Sequence, residues 1–190
     1  MSTNALHKRR VPLGRSLFVI DVENLLGDPR ASGDEALHAI GAARWAGDWA
    51  EGDHTRIAAN PGLAVKFLWG LDFECRGYAQ AGPDGADDAL LSGLTPAFVA
   101  HRYDRLVVAS GDHMFTDLVA TVGALGTPTV VIAIEGSLAA TLGAAADEVI
   151  ELEYVAGPLP RPTRPLSSMP PTRHGRTSQP LSTAQARSAA

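Results

Sequence analysis

Three short acidic stretches stand far apart in the chain: Asp21 with Glu23 and Asn24, Asp84 with Asp87 and Asp88, and Ser110 with Asp112. The first and third each directly follow a continuous apolar run, Leu17 to Ile20 and Leu106 to Ala109. Carboxylates at the ends of neighbouring parallel strands converge on one crevice, where they repel one another. Such groups are held together only by a cation or by shared protons. A hard divalent ion on carboxylate oxygens is chemistry that this set of side chains can support.

The elements that must position these acids alternate along the chain. The continuous apolar run at 17–20 suits a strand buried on both faces of a parallel sheet, and further strands are expected at 104–109 and 129–134. Shorter strands are expected at 55–59, at 73–80 and at 148–152. Ser32 and Glu35 have capping-box spacing, followed by Ala36, Leu37, Ile40 and Ala43 at helical intervals, which predicts a helix over about 33–46. Residues 63–71 read as a short helix or an apolar crossover. Helices are expected over about 86–101, over 115–125 with Gly126 ending it, and from a Ser137 cap to about Ala145. Strands separated by helices imply βαβ units, hence an α/β fold with a central, mostly parallel sheet covered on both faces.

Composition sets the limits. In 190 residues with 45% hydrophobic content there is material for one core. All 21 acids lie within residues 16–156 together with seven of the 16 basic residues, and the flanks carry the other nine bases without an acid. The organisation expected is a basic arm at 1–15, a folded domain at 16–156 and a disordered Pro/Ser/Arg-rich tail at 157–190, whose charge suits RNA or a protein partner. The single Cys75 excludes a disulfide framework and reads as a core residue. No apolar stretch approaches the roughly 18 residues of a membrane span, and residues 1–15 lack an apolar signal core, so no membrane partner and a cytoplasmic location are expected. Homo-oligomerisation stays open. The three Trp residues, Trp45, Trp49 and Trp69, read as packing rather than base-stacking groups.

Taken in order, Leu17-Phe-Val-Ile-Asp-Val-Glu-Asn24, Gly85-Ala-Asp-Asp-Ala-Leu90, Leu106-Val-Val-Ala-Ser-Gly-Asp112 with Phe115, Leu118 and Val119, Gly126 before Val130 to Ile132, and Ala146-Asp-Glu148 resemble the NYN domain of the PIN-like nuclease superfamily. The resemblance spans about 16–153. It implies a three-layer PIN-like, Rossmann-like fold with strand order near 3-2-1-4-5, and metal-dependent cleavage of RNA phosphodiesters with Mg²⁺ or Mn²⁺. It assigns Asp21 as a metal ligand, Asn24 as its polar companion, and Asp87 and Asp112 as the second and third acids.

The chain departs from the family pattern at one place. Where many members carry a further Asp two residues after the third acid, this sequence has Met114, whose thioether does not ligate Mg²⁺. Asp117 then becomes the candidate fourth metal ligand, Asp88 an alternative one, and His113 a phosphate contact. Two functions follow: a metal-dependent endoribonuclease, or a catalytically weak or inactive NYN-fold module that binds RNA or a protein. Ser110 is expected to position the Asp112 loop, Asp147 and Glu148 to serve a cap or strand end, and Glu23 to point away from Asp21.

Overall fold

The computed structural model describes residues 14–28 and 30–153. The tail at 157–190 and all of the basic arm but residues 14 and 15 lie outside the described residues.

Among the described residues, six strands form one sheet: β1 (Ser16–Asp21), β2 (His54–Ala59), β3 (Arg76–Ala79), β4 (Arg105–Ala109), β5 (Thr129–Ile134) and β6 (Glu148–Leu152). Their order is β3-β2-β1-β4-β5-β6, and every adjacent pair is parallel. The chain therefore moves outward from β1 through β2 to β3, then returns to the other side of β1 to begin β4. That reversal makes the β1/β4 boundary the topological switch point, where parallel sheets open a crevice beyond their carboxyl ends.

Among the described residues, seven α-helices cover the sheet: α1 (Val22–Leu26), α2 (Gly33–Ala46), α3 (Pro61–Phe67), α4 (Gly85–Leu91), α5 (Pro96–Arg102), α6 (Thr116–Ala124) and α7 (Ala140–Ala145). Alternation along β1 sends its side chains to two separate cores. Phe18 and Ile20 pack with Leu25, Ile40, Leu63 and Phe67 from α1 to α3. Leu17 and Val19 pack with Leu90, Val99, Val119 and Leu142 from α4 to α7. This is the three-layer α/β arrangement expected.

Several boundaries differ from expectation. The segment after β1 does not continue as a strand but turns at once into α1. The single helix expected over 86–101 is two, because Gly93 adopts a left-handed φ of 70° and Thr95 caps a new helix with Pro96 in its first turn. Strand β3 is only four residues long, since Phe73 turns aside to pack edge-on to Trp49, with the Arg44 guanidinium over both rings. The residue preceding α7 is Ala139; Ser137 instead donates its hydroxyl to the Ile134 carbonyl. Cys75 is a half-buried edge residue packed against the first core rather than a central one. Of the Trp residues, Trp49 packs as expected, whereas Trp69 is 91% exposed. Among the described residues no helix is long and apolar enough to cross a membrane.

Candidate functional site

Asp21 is the last residue of β1 and also the N-cap of α1. Its side chain accepts the Asn24 amide at 3.2 Å, which turns the chain sharply at the sheet edge. The carboxylate is 4% exposed, a severe burial for a charged group. Ser110, fully buried just past β4, donates its hydroxyl to Asp21 Oδ2 at 3.2 Å and accepts the Asp112 amide at 3.1 Å. A directed chain of hydrogen bonds thus runs from the Asp112 backbone through Ser110 to Asp21, giving Ser110 the positioning role expected of it.

Asn24 makes the second tie across the switch point: its side-chain oxygen accepts the Gly111 amide at 2.7 Å. Gly111 fits closely from the other side as well. Its carbonyl accepts the Ala139 amide at 2.8 Å, and a Cβ at this position would run into the Ser137 carbonyl oxygen. Asp112 caps the 3₁₀ turn at 113–115 by accepting the Met114 amide at 2.9 Å, and the same oxygen lies 2.9 Å from His113 Nδ1.

Asp87 comes from the first turn of α4, where the helix dipole favours an acid. The helix is anchored at its other end by Arg56, which donates to the carbonyls of Leu90 and Ser92 at 3.0 and 2.8 Å. Asp87 is buried, while its neighbour Asp88 faces solvent. Burial pushes the Asp87 carboxyl up to about 7, and the adjacent charges of Asp21 and Asp112 push in the same direction. Burial likewise raises Asp21 to about 6, against the opposing hydrogen bonds from Asn24 and Ser110. The structure therefore pairs Asp21 with Asp87 and ties Asn24 to the loop that carries Asp112, whose charge acts on Asp87. Asp117 lies in an adjoining open groove with His113, Met114, Thr116 and Thr141.

Two features suit a divalent ion in this crevice: Asp87 Oδ1 is buried without a hydrogen-bond partner among the described residues, and burial raises the carboxyls of both Asp21 and Asp87. Among the described residues no three His, Cys, Asp or Glu side chains stand together as a complete ligand cluster. The donor set is thus a carboxylate pair with Asp112 nearby, which suits Mg²⁺, an ion that keeps several waters and uses one or two protein carboxylates.

Glu23 is the residue that sequence reasoning set aside. Because the strand ends at Asp21, Glu23 turns toward the end of β2, where its two oxygens accept the backbone amide of Asn60 at 2.9 Å and the Asn60 side-chain amide. Asn60 in turn caps α3 through Leu63 at 3.0 Å. Asp147 has the strand-end role expected, accepting both the amide and the hydroxyl of Thr129.

A three-layer α/β protein with buried carboxylates at the switch point of an all-parallel sheet is the class that fold and crevice define. The family model described as NYN domain matches residues 17–153, and the chain belongs to that family, whose function is nuclease-like and RNA-related. A crystal structure of a protein of unknown function from Vibrio parahaemolyticus is similar in fold, with a TM-score of 0.50 at 17% identity over 76% of this chain and 96% of that one. Among curated proteins no sequence matches.

Proposed function

We propose that the protein is a metal-dependent endoribonuclease that cleaves RNA phosphodiester bonds at the crevice between β1 and β4. The observation that carries this reading is the buried, partnerless oxygen of Asp87 beside Asp21, in a pair whose carboxyls burial raises to about 7 and about 6. Asp21 and Asp87 would hold Mg²⁺ or Mn²⁺, with Asp112 as the third acid toward the ion or its water shell. Such an ion supplies charge neutralisation at the phosphate and a more acidic bound water.

The protein's own residues prepare that chemistry. Ser110 and the Asn24 amide fix the orientation of Asp21, so its oxygens need no rearrangement when charge appears. Asn24 holds the Gly111 backbone and so sets where Asp112 stands. His113, exposed at the rim, is placed to meet a phosphate as a hydrogen-bond donor. The basic tail and arm would add sequence-independent affinity for the RNA backbone around an acidic domain.

A second reading has its own support. Met114 occupies the place of a further family acid, and no ready three-ligand cluster stands among the described residues, which favours a binding module without efficient metal use. The test is cleavage of a single-stranded RNA and a hairpin RNA with Mn²⁺ or Mg²⁺, by wild type and Asp112→Asn. Cleavage that needs the ion and is lost in the variant supports the nuclease. RNA held equally well in EDTA, with no cleavage under any ion, selects the binding module.

A further inference from the structure

Beside the acidic crevice, the groove between the starts of α6 and α7 has a chemistry unlike that of the metal site. It is lined by His113, Met114, Thr116, Asp117 and Thr141. The Thr116 and Thr141 hydroxyls approach to 3.4 Å across the two helices, so one of them can receive a proton donor while the other donates. Asp117 adds an exposed carboxylate, and Met114 a half-buried, polarisable apolar surface.

These groups discriminate among ligands. A lone exposed carboxylate with two neutral hydroxyls is a poor cation cage, and the same carboxylate repels a phosphate. A sugar hydroxyl suits all three groups. It is both donor and acceptor, as the threonines are, and a carboxylate is an established acceptor for ribose hydroxyls. The groove adjoins Asp112, because the Met114 amide and His113 Nδ1 both meet Asp112 Oδ1 at 2.9 Å. On the nuclease reading, a phosphodiester held at the crevice would direct a flanking sugar toward this groove.

We propose that the groove formed by Met114, Thr116, Asp117 and Thr141 is a ribose subsite that reads the 2′-hydroxyl of the nucleotide beside the scissile phosphate, and so selects RNA over DNA. The inference rests on the nuclease reading for the placement of that phosphate. It gives Met114 and Asp117 a role toward the substrate instead of the ion.

The test compares the full chain with the Thr116→Val/Thr141→Val double variant and with Asp117→Asn. Binding is measured by fluorescence anisotropy at low salt with Ca²⁺, using one oligoribonucleotide and the oligodeoxyribonucleotide of the same sequence; cleavage of the same RNA is measured with Mn²⁺. The expected result is a wild-type preference for RNA of about tenfold, the scale of one or two well-placed hydrogen bonds. The double variant should lower that ratio several-fold, through weaker RNA binding with little change for DNA. Equal wild-type affinity for the two oligonucleotides, or a preference that survives in the double variant, overturns the subsite. Both threonines are at least partly exposed, so thermal melts should match wild type. If wild type fails to cleave RNA while the threonine-dependent preference is present, the nuclease reading falls, and the groove stands as a 2′-hydroxyl site of an RNA-binding protein without a scissile phosphate beside it. If cleavage occurs without that preference, the subsite alone falls.

Discussion

The side-chain oxygen of Asn24 accepts the backbone N–H of Gly111 at 2.7 Å, joining the first turn after β1 to the loop after β4. Residues 87 positions apart thus fix each other, and through them Asp21 and Asp112 share one frame. Asn24→Ala would leave a largely buried amide without an acceptor, at a cost of about 1–3 kcal/mol. The expected outcome is a melting temperature lower by several degrees and a fall in RNA cleavage larger than that loss of folded protein explains. Asn24→Asp keeps an acceptor and should restore most of the stability.

Suppressed ionisation of Asp21 and Asp87 gives the metal-free protein an unusual pH dependence. Both carboxyls are raised above their unfolded value near 3.8, so the native state binds more protons than the unfolded state between about pH 4 and 7. Their contribution to stability is fully present below pH 4 and is lost as pH rises through 6 and 7. In EDTA, the difference in melting temperature between wild type and Asp87→Asn should grow from pH 5 to pH 8, the variant being more stable by about 2 kcal/mol at the upper end. Adding Mn²⁺ should stabilise wild type more at pH 8 than at pH 5 and leave Asp87→Asn nearly unaffected. A metal-induced shift independent of pH would contradict the carboxylate pair as the ion's seat.

Asp87 and Asp88 are adjacent in sequence and opposite in environment. Asp87→Asn should reduce cleavage by about 10²-fold or more, as loss of a metal ligand or charge-stabilising group does. Asp88→Asn, on the solvent face of α4, should stay within about twofold of wild type. Initial rates on the same RNA at saturating Mn²⁺ decide between them.

Gly111 leaves no room for a side chain. A Cβ there would collide with the Ser137 carbonyl oxygen, a backbone atom that cannot swing aside, so Gly111→Ala must shift either the Asp112 loop or the segment leading to α7. The expected loss is about 1–3 kcal/mol with a stronger loss of activity, measured by urea unfolding alongside cleavage.

Glu23 clamps Asn60 through both carboxylate oxygens, holding the start of α3 beside the crevice. Glu23→Ala should destabilise by about 2 kcal/mol. Glu23→Gln keeps one acceptor and should recover part of that. If Glu23 acts only by positioning, both variants retain the wild-type Mn²⁺ concentration dependence of cleavage while the rate falls. A changed Mn²⁺ requirement would instead place Glu23 at the ion.

Much of this was legible along the chain. Asp21 and Asp112 could be placed at strand ends because the runs before them, Leu17 to Ile20 and Leu106 to Ala109, are short, apolar at every position and rich in β-branched residues, as strands buried on both faces are. The capping box of Ser32 and Glu35 forms as its spacing predicts, with both reciprocal hydrogen bonds present. The break at Gly93 is hidden in the sequence because Leu90, Leu91 and Leu94 continue an apolar helical pattern straight across it. The direction of Glu23 depends on whether β1 ends at Asp21, and that is decided by the cap formed with Asn24.

The sequence by itself determined the kinds of chemistry available and the alternation of strands and helices around a parallel sheet, because hydrophobic periodicity is a local property that follows from which faces must leave water. Only the tertiary structure decided that Asp87 rather than Asp88 enters the crevice, that Ser110 bridges Asp21 to Asp112, and that Met114 and Asp117 open onto a groove with Thr116 and Thr141. Those relationships depend on strand order and register, which bring residues far apart in the chain into one desolvated space. There, burial and mutual repulsion change what a carboxylate does.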